Sequence, residues 1–276
     1  MRSVFPALAA VVAAWGYGTA NLLGGLASRR QHAALTLLIS QATAFPIVLA
    51  AAWLTAGTPG DAGLGAVAGM LGFCGAACAY LCFSLGRPVG VAAVLLGTTS
   101  AAVPVAIGVM SGSRPGPVAV VGLGVAACSV AVLGWPEETA TDTQAAMLAV
   151  VGGAMFGAYH AVMSRTSADT GMWPLVTSQG VIVLMAATAC VALGLQLQDA
   201  RATRMSVGDG AASTAATVAA LAAVRTGSLP SVGMLIALSP AVTTLLAWMF
   251  VRERLQGRRA AGLALALAAI ACLTVR

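Results

Sequence analysis

The sequence contains no lysine, and only eight acidic residues stand against its fourteen arginines. Charged residues make up 8% of the chain and apolar ones 59%, whereas about a quarter of a soluble domain is charged. So few polar side chains cannot cover the outside of a soluble globule of this size; lipid is the solvent the composition calls for. The arginines stand singly or in small groups between apolar runs, with no basic face interleaved with aromatics. That pattern excludes a nucleic-acid partner and reads as anchoring at lipid headgroups. Cys74, Cys78, Cys82, Cys128, Cys190 and Cys272 all fall inside apolar runs, which excludes the disulfide framework of a small secreted domain. The spacing of Cys74, Cys78 and Cys82 puts them on one helix face, as a copper(I) path would. No methionine or histidine ladder accompanies them, so they read as packing thiols and no metal site is assigned.

Enzyme signatures are also missing. The run GLGVAA from Gly122 has dinucleotide-type spacing but follows no strand, so small-residue helix packing explains it. There is no nucleophile elbow, no HExxH and no cluster of histidine with carboxylates, and no cofactor is implied. No Asp or Glu is expected mid-span, which removes the buried carboxylate that would trade protons for a cation.

What is present is a succession of apolar segments. The stretch from Arg225 to Arg276 shows the pattern best: an apolar segment holding Pro240, the charged turn RERLQGRR, and a second apolar segment. About twenty residues at roughly 1.5 Å each span the roughly 30 Å of a bilayer's hydrocarbon. A proline inside such a helix is accepted in membranes, where neighbouring helices re-satisfy the carbonyl it releases. Dividing the chain at charges, prolines and glycine-rich turns predicts ten spans: 4–27, 33–55, 63–84, 89–110, 117–134, 145–164, 173–195, 208–224, 228–251 and 259–275. The first exceeds a leader's apolar core and is taken as a span. The eighth is the least apolar, thinned by Asp209 and several hydroxyl residues.

Glu137, Glu138 and Asp142 mark an acidic connector, 136–144, between two halves, 1–135 and 145–276. The halves resemble each other: SRPGPVAVVGL from Ser113 has the layout of ERLQGRRAAGL from Glu253, and Ser40-Gln41 aligns with Ser178-Gln179. Five spans per repeat is an odd number, so the second half must enter the membrane inverted. Inverted repeats around a midplane site are a hallmark of secondary transporters. The expected fold is an all-α membrane protein of ten helices in two inverted five-helix repeats.

AAWGYGTAN from Ala13, FSLGRPVGVAAVLL from Phe83, and above all LSPAVTTLLAWMFVRERLQGRRAAG from Leu238 resemble the EamA group of the drug/metabolite transporter superfamily. The resemblance implies a central cavity lined mainly by spans 1, 3, 4, 6, 8 and 9, both termini inside the cell, and a cytoplasmic (inner) membrane location. Two departures stand out. Ser113 occupies the position matching Glu253, and span two lacks the arginine that many members carry. The arginines themselves point the other way on orientation, because most flank the side away from the termini, which favours both termini outside.

Polar groups within spans are the functional candidates, since each must be satisfied inside lipid. For a cavity holding an amphipathic molecule the candidates are Trp15, Tyr17, Asn21, Tyr80, Tyr159, His160, Ser239 and Trp248. His160 has two readings, a proton-coupling group or a hydrogen-bonded packing histidine. Gln41, Gln179, Thr98, Thr99, Ser100, Ser213, Thr217 and Thr243 read as ties between helices. Gly65 with Gly69, and Gly153 with Gly157, read as points of close helix approach. Pro104 and Pro240 are candidate hinges. The implied activity is carriage of a small neutral, zwitterionic or amphipathic metabolite by alternating access, export more than uptake. Coupling to an ion is not required by any residue singled out. The partners are that small molecule and membrane lipids; the oligomeric state is open, a monomer included. The rival reading is an intramembrane enzyme acting on a lipid-linked substrate. Only the Arg252–Arg259 turn could serve it, and no nucleophile accompanies that turn.

Overall fold

The computed structural model describes residues 4–55, 57–86, 88–110, 117–134, 140–197, 199–226, 238–252 and 257–274. Among these the chain is all helix, without a strand. The helices are α1 (Val4–Ser28), α2 (Ala33–Leu54), α3 (Ala62–Ser84), α4 (Val89–Met110), α5 (Pro117–Gly134), α6 (Ala140–Met163), α7 (Trp173–Ala192), α8 (Ala200–Thr226), α9 (Ser239–Leu246, continuing as a π-helical turn Ala247–Val251) and α10 (Arg258–Thr274). Five of them, α1, α2, α3, α6 and α7, are long and apolar enough to cross a membrane on length and composition. Their outer faces are apolar, with Leu54 87%, Val191 82% and Leu184 67% exposed, which only an apolar solvent makes tolerable.

The predicted segments and the helices agree closely, with three differences. Helix α8 begins at Ala200, well before residue 208, because Arg201, Arg204 and Ser206 lower the hydropathy of a first turn that is nonetheless helical. Its start is fixed by Asp199, whose Oδ1 accepts the N–H groups of Arg201 and Ala202 at 2.8 and 3.1 Å, as a helix N-cap does. Helix α6 begins at Ala140, inside the stretch read as a connector. The first part of the ninth segment, 227–237, lies outside the described residues, as do Glu137, Glu138, Ser113 and Glu253.

Two loop contacts set the direction of the helices. Asp61, just before α3, accepts the N–H of Ser167, just past α6, at 2.6 Å; beside it the Thr58 N–H donates to the Asp169 carbonyl at 3.0 Å. At the other end of α3, the Phe83 carbonyl accepts from Arg29 Nε, just past α1, at 3.2 Å. The two ends of α3 therefore lie where α6 and α1 respectively finish, and α1 and α6 run in opposite directions. The helix pairings are α1 with α8 and α9, α3 with α6 and α7, α2 with α7 and α8, α4 with α6 and α9, and α5 with α10. Exchanging every helix for the one five places along leaves these pairings unchanged, but α4 also packs against α5 and α10, contacts that have no such counterpart among the described residues.

The correspondence extends to single residues. A Cβ at Gly69 of α3 would lie 2.7 Å from both the Ser178 carbonyl oxygen and Val181 Cβ of α7. A Cβ at Gly210 of α8 would run into the Ser40 carbonyl oxygen of α2 and come 2.9 Å from Thr43 Cβ. The serines are those aligned in the two Ser-Gln pairs, and each glycine lets a helix backbone reach the other. Gly65, Gly153 and Gly157 make equally close approaches, to the carbonyl oxygens of Pro174, Leu96 and Ser100. Buried Phe83, Leu37, Leu95, Val89 and Val94 fill the interior that these contacts enclose.

Gly210→Ala should destabilise the protein by about 1–3 kcal/mol, the usual range for forcing an extra methyl into a packed site, read from thermal unfolding in detergent. Gly124→Ala, where a Cβ meets nothing within 4 Å, should be tolerated. The two backbone N–H bonds hold the carboxyl of exposed Asp199 below its ordinary value of 3.8. A depressed pKa means the cap is complete above that ordinary value and is lost as pH falls below it, through the lower folded value. Amide exchange at Arg201 and Ala202 should therefore gain an acid step that Asp199→Asn lacks.

Candidate functional site

Helix α1 carries the polar line of the bundle. Tyr17, Asn21 and Gly24 fall at i, i+4 and i+7, on one face, and that face meets α8 and α9. The Tyr17 hydroxyl and Thr217 Oγ1 are 3.0 Å apart. Asn21 Nδ2 donates to Thr243 Oγ1 of α9 at 3.4 Å, and Thr243 Oγ1 in turn donates to the Ser239 carbonyl at 3.0 Å. Tyr159 of α6 brings its hydroxyl to that of Ser178 of α7, and its ring faces Gly72 of α3, where a Cβ would lie 3.4 Å away. Tyr17, Asn21 and Ser239 thus come from both halves to one region. Near the middle of α4, where Thr99 packs against Gly153 of α6, the buried Oγ1 atoms of Thr98 and Thr99 have no hydrogen-bond partner among the described residues.

Tyr80 belongs to a different cluster. Its hydroxyl donates to Asp209 Oδ2 at 2.5 Å and lies 3.5 Å from Ser40 Oγ. Asp209 is 4% and Ser40 1% exposed. The cleft that admits them is Gly24, where a Cβ would sit 2.6 Å from Tyr80 Cε1 and 2.7 Å from Asp209 Oδ2. The sequence expectation put Asp209 at the mouth of the eighth segment and no carboxylate mid-span. With α8 beginning at Ala200, Asp209 instead stands in the third turn of the helix, buried against Gly24 of α1, Ser40 of α2 and Tyr80 of α3. Among the described residues there is no cluster of His, Cys, Asp and Glu fit for a metal, and all six cysteines are thiols.

The other candidates stand apart from these groups. Trp15 is 45% exposed and lies two residues from Tyr17, on the opposite face of α1. His160 is exposed, its ring edge-on to Tyr159 at 5.1 Å. Trp248 is 59% exposed on the π-helical turn. Pro104 lies inside α4. Pro240 is in the first turn of the described part of α9, where a missing N–H breaks no helical bond; its ring meets α4 at Gly97, whose Cβ position is 2.8 Å from Pro240 Cγ.

Apolar helices with lipid-facing outer surfaces, folded round buried hydroxyls, an amide and a carboxylate, define a multi-pass membrane protein. Residues 143–275 match the model of the EamA-like transporter family, so the second half of the chain is similar to that family of drug/metabolite-type transporters. A solved structure titled "Crystal structure of protein" is similar over 98% of this chain and 96% of its own, with a TM-score of 0.63 at 14% identity; the likeness is one of fold. No curated protein matches.

Tyr17→Phe and Thr217→Val should each lower stability by about 0.6–2 kcal/mol, the range for a hydrogen bond between membrane helices. The double variant should lose little more than either single one, measured as a thermal double-mutant cycle.

Proposed function

We propose that the chain is a secondary transporter of the cytoplasmic (inner) membrane that carries a small neutral, zwitterionic or amphipathic metabolite outward by alternating access. The observation that carries this reading is the pairing of Tyr17 and Asn21 of the first half with Thr217 and Thr243 of the second, in a chain whose second half is EamA-like. Hydroxyls and an amide, bonded to one another and to no arginine among the described residues, match a solute of no net charge, which needs hydrogen bonds more than a counter-ion.

Two inverted five-helix repeats account for the exchangeable helix pairings, for the opposed directions of α1 and α6, and for the matched Gly69–Ser178 and Gly210–Ser40 contacts. Such halves rock about a shared site. Trp15, His160, Ser239 and Trp248 act at the margins of that site, Pro104 as a bending point of α4, and Pro240 as the point where α9 pivots against α4 at Gly97. An enzyme reading has no comparable support: among the described residues near the Arg252–Arg259 turn there is no nucleophile.

In proteoliposomes screened against pooled amino acids, sugars and nucleosides, wild-type protein should exchange at least one uncharged or zwitterionic pool. Asn21→Ala should cut the rate several-fold while the protein still elutes as a folded species. Exchange of anionic pools alone, or none, would refute the reading.

A further inference from the structure

We infer that Asp209 is a proton-exchange site, and that one proton moves with each transport cycle; the coupling rests on the transporter reading above. The carboxyl is 4% exposed, and its neighbours are hydroxyls: Tyr80 at 2.5 Å and Ser40, within hydrogen-bonding range of both. Hydroxyls serve either protonation state. They donate to a carboxylate and accept from a carboxylic acid, so the cluster stays satisfied whether or not the proton is present. A structural ion pair is built differently, with a cation fixed against the acid.

The titratable and charged groups of the packed elements are few. Helix α1 offers Tyr17 and helix α2 none. Helix α3 offers Tyr80 and the thiols Cys74, Cys78 and Cys82. On α8, Arg201 and Arg204 are exposed, and Arg225 lies at the far end; Arg29, past the end of α1, donates to the Phe83 carbonyl.

Position connects this acid to the solute region. Asp209, Ser213 and Thr217 follow one another at four-residue spacing along α8, the first opposite Gly24 and the last opposite Tyr17 of α1. The carboxyl is eight residues, about 12 Å at 1.5 Å per residue, from the Tyr17–Thr217 bond. Both halves contribute: Tyr80 and Ser40 come from the first, Asp209 from the second. Parting α1 from α8 at one rim would hydrate the carboxyl and release its proton to that side; closing them desolvates it and favours the acid. At the matching place in the first half, one residue before Gly69, stands buried Ala68, so only one of the two glycine contacts carries an acid.

The test uses the full chain in lipid vesicles, as wild type, Asp209→Asn and Tyr80→Phe. With the proton as probe, pH-difference infrared spectra should show a buried-acid C=O band that titrates in wild type, is absent in Asp209→Asn and is shifted in Tyr80→Phe. With a pool that the solute screen identifies, an imposed pH gradient should drive accumulation in wild type. Asp209→Asn should lose accumulation and keep downhill exchange. Absence of the titrating band in wild type would overturn the proposal, whatever the solute screen finds. So would pH-driven accumulation retained by Asp209→Asn, or accumulation driven by a sodium gradient and not by pH. If no pool is exchanged but the band titrates as expected, the transporter reading fails and the proton site stands.

Discussion

The structure depends on one constraint: inside hydrocarbon there is no water to complete a hydrogen bond, so every polar atom must find its partner within the protein. Helices meet this for the backbone. Side chains meet it by bonding to backbone carbonyls one turn away, as Thr43, Thr188 and Thr214 do, or by meeting across helices, as Tyr17 and Thr217 do. Lipid is as apolar as leucine, so hydrophobicity does not press these helices together. Close contact must come from shape, and Gly65, Gly69, Gly153, Gly157 and Gly210 supply it by letting backbone touch backbone.

This constraint also decides where function can reside. The α2–α8 and α3–α7 interfaces share one device, a glycine set against the carbonyl of a serine, and on the repeat reading two such contacts alone would give a symmetric, indifferent scaffold. The molecule departs from symmetry at Asp209, which faces Tyr80, while its counterpart is the methyl group of Ala68. A carboxylate is the most expensive group to place in this surrounding, and it appears where three other helices close over it.

Much of the fold was legible in sequence because hydrophobic length is a direct physical requirement. The predicted spans and the observed helices share most of their boundaries, and the four glycines chosen for close approach all make one. The site was only half legible. Tyr17, Asn21, Thr217 and Thr243 could be named because each is polar within an apolar run, but their pairings join residues two hundred positions or more apart. Asp209 was misplaced because hydropathy located the start of α8 too late; a helix boundary set by the Asp199 cap is a matter of backbone hydrogen bonding, to which hydropathy is blind. The Gly208-Asp209-Gly210 sequence was the available clue, since small neighbours let other helices close over an acid. The π-helical turn at Ala247–Val251 left no mark in composition at all.

That turn has a mechanical consequence. In a widened coil, successive side chains fan through a smaller angle than in an α-helix, so Trp248, Met249 and Phe250, exposed by 59%, 55% and 72%, crowd towards one aspect of α9. Immediately beyond, Arg252 adopts a left-handed conformation (φ 58°) and stops the helix with an exposed cation. A broad greasy collar seated just beneath a cation behaves as an oarlock: the rod it holds can swing, but it cannot slip lengthwise through the bilayer.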